Sequence, residues 1–307
     1  MRKVLVATEK PFAKAAVEGI SAVLNEAGYE IALLENYKDP ADLLKAVEDA
    51  DALIVRSDLV NKDVIGAARK LAVVVRAGAG YDNIDLAAST ERGVVVMNTP
   101  GQNSNAVAEL AIGMMIYMAR NQFNGTSGTE LRSKTLGIHG CGNVGMNVAR
   151  IARGLQMKVI GFCSYVGMDR LSFAGVKFVD TLEDLYSKCQ YISLSIPANK
   201  ETARLVNFDF LSRMPAPAVL VNAARKEVVD ESSLLRMFAE RPDFMYLADI
   251  PPDCAGEIAE NYPGRYFFTP KKMGAQTSEA NINAGIAAAR QIVAYFEKGE
   301  TKYQVNK

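Results

Sequence analysis

The sequence is poor in the residues that usually announce chemistry. It has one histidine (His139), four cysteines with no C-x-x-C pair, and no net charge, since Lys plus Arg and Asp plus Glu both count 35. Each scarcity excludes something. The lone histidine sits in an apolar stretch directly before a glycine-rich turn and reads as a packed core residue, so acid–base work falls to other side chains. Zero net charge gives nucleic acid or a membrane surface no electrostatic reason to bind, leaving room only for a local basic pocket that holds a small anion. Cys141, Cys163, Cys189 and Cys254 are too scattered for a zinc site and fit a reducing compartment. The apolar run near Met1 is too short for a signal peptide, and no run approaches the roughly 18–20 apolar residues of a membrane helix, so the cytoplasm is the expected location. Low-complexity tracts and short-period repeats are missing as well.

What is present is an ordinary globular composition, 49% hydrophobic and 23% charged. The length suits about two domains. Apolar, largely β-branched runs at residues 3–7, 31–34, 52–55, 72–75 and 94–97 alternate with helical patterns at 14–26, 41–47 and 64–68, and with a loop and short helix at 83–90. Such alternation with short connections predicts a parallel sheet covered by helices. Asn98, Thr99, Pro100 and Gly101 end that series in a turn. Residues 103–120 read as one long helix, apolar nearly all round, with Asn103 or Ser104 able to cap it. That helix is buried either within one subunit or partly at a subunit interface. After a polar hinge at 122–128, a second series places strands at 136–139, 158–162, 177–179, 191–195, 218–221 and 245–248. An alanine-rich helix at 278–297 follows, and residues 299–307 trail away.

The stretch 136–145, L-G-I-H-G-C-G-N-V-G, organises the second series. A short apolar strand leads into G-x-G-x-x-G, formed by Gly140, Gly142 and Gly145, and a helix pattern follows. That is the order a dinucleotide-binding βαβ unit requires. Gly140 allows the tight turn, Gly142 lets backbone approach a pyrophosphate, and Gly145 lets helix pack against strand. The pyrophosphate is expected on the free N–H groups of the helix that starts near Asn143 and Val144.

Several further stretches, in order along nearly the whole chain, resemble the D-isomer-specific 2-hydroxyacid dehydrogenases. They are Val55-Arg56-Ser57, the run Arg76 to Asp85 (R-A-G-A-G-Y-D-N-I-D), Met97 to Pro100 with Asn103-Ser104 and Ala108-Glu109, and Gly128 to Leu131. After the glycine turn come Val221-Asn-Ala-Ala-Arg225 with Val229-Asp-Glu231, then Asp249, and Gly274 to Thr277 with Glu279-Ala280. The resemblance implies an α/β protein of two Rossmann-like, doubly wound parallel-sheet domains. Residues 1–98 and 285–307 would form a flavodoxin-like substrate domain, and 99–284 an inserted dinucleotide-binding domain. It also implies a homodimer, a short form with no regulatory domain after the last helix, a small-molecule substrate and NAD(P)-dependent oxidation of a CH–OH group.

The family's site residues carry over position by position. Arg225 would hold the substrate's carboxylate and carbonyl oxygen, a task that suits the guanidinium fork. Read from the residues themselves, Arg56 and Ser57 are the best local candidates for a phosphate end, with Arg76 nearby, and the backbone N–H groups of Ala77 to Gly80, around Gly78 and Ala79, offer a nest for the carboxylate. This favours a phosphorylated acid; a reductase of unphosphorylated 2-keto acids is the sibling expectation. Ile196, Ala223 and Asp249 would line the cofactor.

Three departures from the family stand out. The acid–base histidine of a Thr-Pro-His segment is replaced by Thr269-Pro-Lys-Lys-Met-Gly-Ala275. Aligned backwards from Gly274 the position is Lys272; aligned forwards from Pro270 it is Lys271. Lys272 is preferred because the following helix fixes that end of the loop. The histidine's glutamate partner falls on Cys254, with Asp253 beside it as the substitute. The acid that would bind the adenosine ribose falls on Cys163, with Ser164 next to it and Arg170 the nearest arginine beyond. Without that acid, NAD preference relaxes and the repulsion that excludes NADP is lost. The altered catalytic pair also keeps open a third expectation, a dinucleotide-sensing or partner-binding protein that has lost catalysis.

Overall fold

The computed structural model describes residues 1–163 and 175–306. The chain divides into two compact units, Met1–Asn103 with Gln276–Lys307, and Ser104–Ala275. These boundaries replace the expected ones at 98/99 and 284/285. The reason for the later boundary is mechanical: the last helix is one continuous rod, Ser278–Lys298, and goes with the first unit as a whole. The earlier boundary shifts because Thr99 N–H donates to Gly78 O, which ties the start of the turn to the first sheet.

The first unit is a five-stranded parallel sheet made of β1 (Lys3–Thr8), β2 (Glu30–Glu35), β3 (Ala52–Val55), β4 (Val73–Arg76) and β5 (Val95–Asn98), in the order β2-β1-β3-β4-β5. Alternate residues serve opposite faces, as the pleat demands. Leu5, Leu53, Val55, Val74 and Val96 pack with Val47, Val64 and Ile65 on one side. On the other, Val4, Val6, Ile54, Val73 and Val75 pack under Ile20, Leu24, Ala288 and Ile292. Helix α1 (Lys14–Glu26) and the last helix meet through small residues: a Cβ at Gly19 would stand 2.6 Å from Ile286 Cδ1, and one at Gly285 would stand 2.9 Å from Ile20 Cδ1.

Residues 299–306 do not trail away. Val305 N–H donates to Val96 O at 2.8 Å, and Asn306 accepts Val96 N–H at 2.7 Å while donating to Val94 O at 2.8 Å. The tail thereby covers the hydrogen-bonding edge of β5, which would otherwise offer itself to a foreign strand.

The second unit is a seven-stranded parallel sheet in the order β12-β11-β10-β9-β6-β7-β8. Its strands are β6 (Thr135–His139), β7 (Lys158–Phe162), β8 (Lys177–Phe178), β9 (Tyr191–Leu194), β10 (Val219–Asn222), β11 (Met245–Ala248) and β12 (Tyr266–Phe268). The sequence pattern predicts no strand at β12, because three aromatic residues in a row are too short to show a period. Leu136, Ile138, Val219, Val221 and Leu247 face the long helix Ser104–Ala119 and the helix after the glycine turn. Ile192, Leu194, Leu220, Tyr246 and Ala248 face Leu185, Leu234, Met237 and Phe238. Both sheets are covered on both faces, the doubly wound arrangement expected. Among the described residues no helix is long and apolar enough to cross a membrane.

Candidate active site

Strand order fixes where ligands can sit. In an open parallel sheet the crevice lies beyond the carboxyl ends of the two strands from which the chain winds in opposite directions. In the second unit those strands are β6 and β9. The glycine turn follows β6, and Ser195 and Ile196 follow β9. A Cβ at Gly140 (φ 100°) would stand 2.8 Å from Ser195 C and O, and one at Gly145 would stand 2.1 Å from Gly140 O. Only glycine lets these backbones approach. Gly142 is different: a Cβ there would meet nothing within 4 Å, so backbone is presented to open space.

Helix α6 (Asn143–Gly154) starts on that backbone. Its N-cap is Gly142, with no capping side chain, and the first bond back is Met146 N–H to Gly142 O at 2.9 Å. The helices starting after Asp39, Asn61, Asp85, Thr181, Asn207, Asp230 and Thr277 all carry side-chain caps. The first-turn N–H groups of α6, at Asn143, Val144 and Gly145, therefore suit a pyrophosphate.

Cys163 follows directly on β7, half-buried, where the ribose-binding acid was expected. Behind it the Cys141 thiol is buried, with Sγ 3.7 Å from Phe162 O, and burial pushes it up to about 12. Ser164 and Arg170 lie outside the described residues. His139 is also buried, its Nδ1 3.1 Å from the Tyr186 hydroxyl, and burial lowers it to about 4. That is the packed core histidine the sequence suggested.

Arg225 follows β10 in extended conformation, half-buried, with Nη1 donating to Ala224 O at 3.0 Å. Asn222 shapes the turn that presents it: Nδ2 donates to Arg225 O at 2.9 Å and Oδ1 accepts Ala224 N–H at 3.0 Å. Ala223 lies within the same turn. Lys226 donates to the Asp253 carboxylate, which raises the lysine. Asp253 thus belongs to an exposed ion pair beside Arg225. Cys254 is half-buried, and burial, then Glu231, pushes its thiol up to about 12. Glu231, quoted in a motif but given no role from sequence, accepts the N–H groups of Asp253 at 2.7 Å and Cys254 at 2.9 Å. It tethers the Asp253 loop to the Arg225 segment.

The lysine loop has its own anchor. Asp249, 3% exposed, accepts Met273 N–H on Oδ1 at 2.8 Å and Gly274 N–H on Oδ2 at 2.9 Å. Thr269 Oγ1 lies 2.6 Å from Asp249 O. Asp249, expected at the cofactor, thus spends both carboxylate oxygens on the loop carrying Lys271 and Lys272, whose side chains are exposed.

In the first unit, Arg56 at the end of β3 points Nη1 at Lys10 O (3.2 Å) and Pro11 O (3.3 Å) and Nη2 at Asn281 Oδ1 (2.7 Å), near the Phe12 ring. Ser57 is exposed. Arg76 Nε donates to Arg56 O at 2.9 Å, and a Cβ at Gly78 would stand 1.4 Å from Arg76 Nη1, so the guanidinium rests on the glycine. Asn98 Nδ2 donates to Ala79 O at 2.6 Å and holds the glycine loop from the far side.

A family model, the D-isomer specific 2-hydroxyacid dehydrogenase catalytic domain, matches residues 6–306. The chain belongs to this family. Its fold is similar to that of a cofactor (NAD+)-bound 3-phosphoglycerate dehydrogenase of Entamoeba histolytica, with 45% identity, a TM-score of 0.86, and coverage of 100% of this chain and 99% of that one. By sequence it is 35% identical to D-3-phosphoglycerate dehydrogenase of Methanocaldococcus jannaschii over 82% of this chain and 51% of that protein. It is 32% identical to hydroxypyruvate reductase of Thermotoga maritima over 86% of this chain and 90% of that protein. The chain spans about half the length of the M. jannaschii enzyme and of the D-3-phosphoglycerate dehydrogenases of Synechocystis and Archaeoglobus fulgidus.

Proposed function

We propose that this chain oxidises 3-phospho-D-glycerate to 3-phosphohydroxypyruvate with a nicotinamide dinucleotide, the entry step to serine synthesis. The observation that carries the reading is the match, over the full chain and at 45% identity, to an NAD+-bound 3-phosphoglycerate dehydrogenase. The glycine turn, the uncapped start of α6 and the open face of Gly142 fit the pyrophosphate of NAD. Ile196 and Ala223 would lie along it, and Cys163 at the adenosine ribose would admit NADP as well. The nicotinamide ring supplies the hydride acceptor.

The protein's own residues do the rest. Arg225 grips the carboxylate and the C2 oxygen, opposing charge as the carbonyl forms. Lys272 takes the hydroxyl proton in its neutral form. Asp253 acts on that proton transfer from beside Arg225. Arg56 and Ser57 receive the phosphate, while the N–H groups around Gly78 and Ala79 favour the carboxylate. Residues 1–103 with 276–307 form the substrate domain and 104–275 the nucleotide domain. The reading includes a homodimer in the cytoplasm; unpaired cysteines support the reducing compartment, and sedimentation decides the dimer.

Fluorescence titration with NADH and NADPH, then turnover with 3-phosphoglycerate, tests the proposal. NADH formation is expected; tight cofactor binding without turnover would support a sensing protein instead. The T. maritima relative favours a second reading, reduction of hydroxypyruvate or glyoxylate. A higher kcat/KM for hydroxypyruvate than for its phosphate would select it.

A further inference from the structure

Asp58 belongs to none of the motifs that carry the family resemblance, yet it is a carboxylate only 1% exposed, two residues beyond Arg56. Its Oδ1 accepts Glu9 N–H at 2.6 Å and the Tyr37 hydroxyl at 2.9 Å, and its Oδ2 accepts Arg56 N–H at 3.2 Å. Its carbonyl accepts Asn83 Nδ2 at 2.7 Å. A carboxylate so buried persists only where donors replace the lost water, and here they come from the chain after β1, after β2 and at the end of β3.

The consequence concerns Arg56. Asp58 holds its main chain directly. Through Glu9 it also holds the loop whose Lys10 and Pro11 carbonyls receive the Arg56 guanidinium at 3.2 and 3.3 Å. One carboxylate therefore sets the arginine at both ends. In this sheet the crevice strands are β1 and β3, because the chain winds to β2 on one side and to β4 and β5 on the other. Asp58 braces the loops at the mouths of both.

We propose that Asp58 is a positioning residue that sets this chain's selectivity for phosphorylated over unphosphorylated 2-hydroxy acids, by fixing Arg56 beside Ser57. The proposal rests on the reading of Arg56 and Ser57 as the phosphate end of the site. A purely structural Asp58 would affect both kinds of substrate alike; a positioning residue changes their ratio.

The experiment compares kcat/KM for 3-phosphohydroxypyruvate and hydroxypyruvate in the wild type, Asp58→Asn, Tyr37→Phe and Arg56→Gln. Weakening a hydrogen bond to a charged group is worth roughly tenfold or more, so Asp58→Asn lowers the ratio about tenfold through KM for the phosphorylated acid. Tyr37→Phe lowers it by less, and Arg56→Gln marks the full loss. Should Asp58→Asn fail to fold, Tyr37→Phe decides alone. An unchanged ratio, or an equal fall with both substrates, overturns the proposal while the functional reading stands. A wild type without preference for the phosphorylated acid overturns both.

Discussion

Two buried aspartates, one in each unit, do similar work in different ways. Asp58 and Asp249 are 1% and 3% exposed, and each accepts backbone N–H groups near cationic residues. Asp249 takes two consecutive N–H groups, Met273 and Gly274, from one loop. Asp58 takes its donors from residues 9, 37 and 56, which lie in separate crossovers. The first arrangement shapes a loop; the second joins three. A lesion at Asp249 should stay local, while one at Asp58 should spread through the end of its sheet.

The largest effect expected is from Asp58→Ala, which strands the buried Tyr37 hydroxyl and the part-buried N–H groups of Glu9 and Arg56, and costs about 3–5 kcal/mol at roughly 1–3 each after partial relaxation. Asp249→Ala strands two N–H groups while Thr269 turns to a carbonyl, costing about 2–4 kcal/mol. Hydrogen exchange should show the first opening amides at residues 9 and 56 together, and the second opening only 273 and 274. Exchange that spreads equally in both variants breaks the comparison.

His139 sharpens it, being a buried titratable group that braces no loop. Burial lowers it to about 4 from an ordinary 6.5. The unfolded chain binds the proton first, so stability is full above pH 6.5, falls as pH drops toward 4, and loses about 3 kcal/mol in all. Urea unfolding of His139→Gln between those pH values should show this acid slope abolished, with the exchange pattern of both aspartate loops intact.

Lys272→Met should lower turnover at least roughly tenfold while NADH affinity holds, since general acid–base help is worth about 10²–10⁴. Equal losses in Lys272→Met and Lys271→Met would show that the loop does not single out one amine. The smallest effect is expected at the exposed pair: Lys226→Gln removes only the pairing and should change kcat/KM little, while Asp253→Asn should lower it further; equal losses would confine Asp253 to the pair.

The parallel sheets, the glycine turn and the long apolar helix could be read from sequence because each leaves a local period or spacing. Cys163, Cys254 and the lysine loop stood out in sequence only against the family resemblance. Glu231 stood in a recognised motif, but nothing local said that it receives the N–H groups of Asp253 and Cys254, 22 and 23 residues away. Strand β12 was too short to show alternation, and the tail's bonds to β5 span about 210 residues.

By itself the sequence determined the two αβ series and the glycine turn, because backbone periodicity and glycine geometry act between near neighbours. Only the tertiary structure decided what Asp58, Asp249 and Glu231 hold. A buried carboxylate takes its meaning from the donors that replace water around it, and those come from distant parts of the chain.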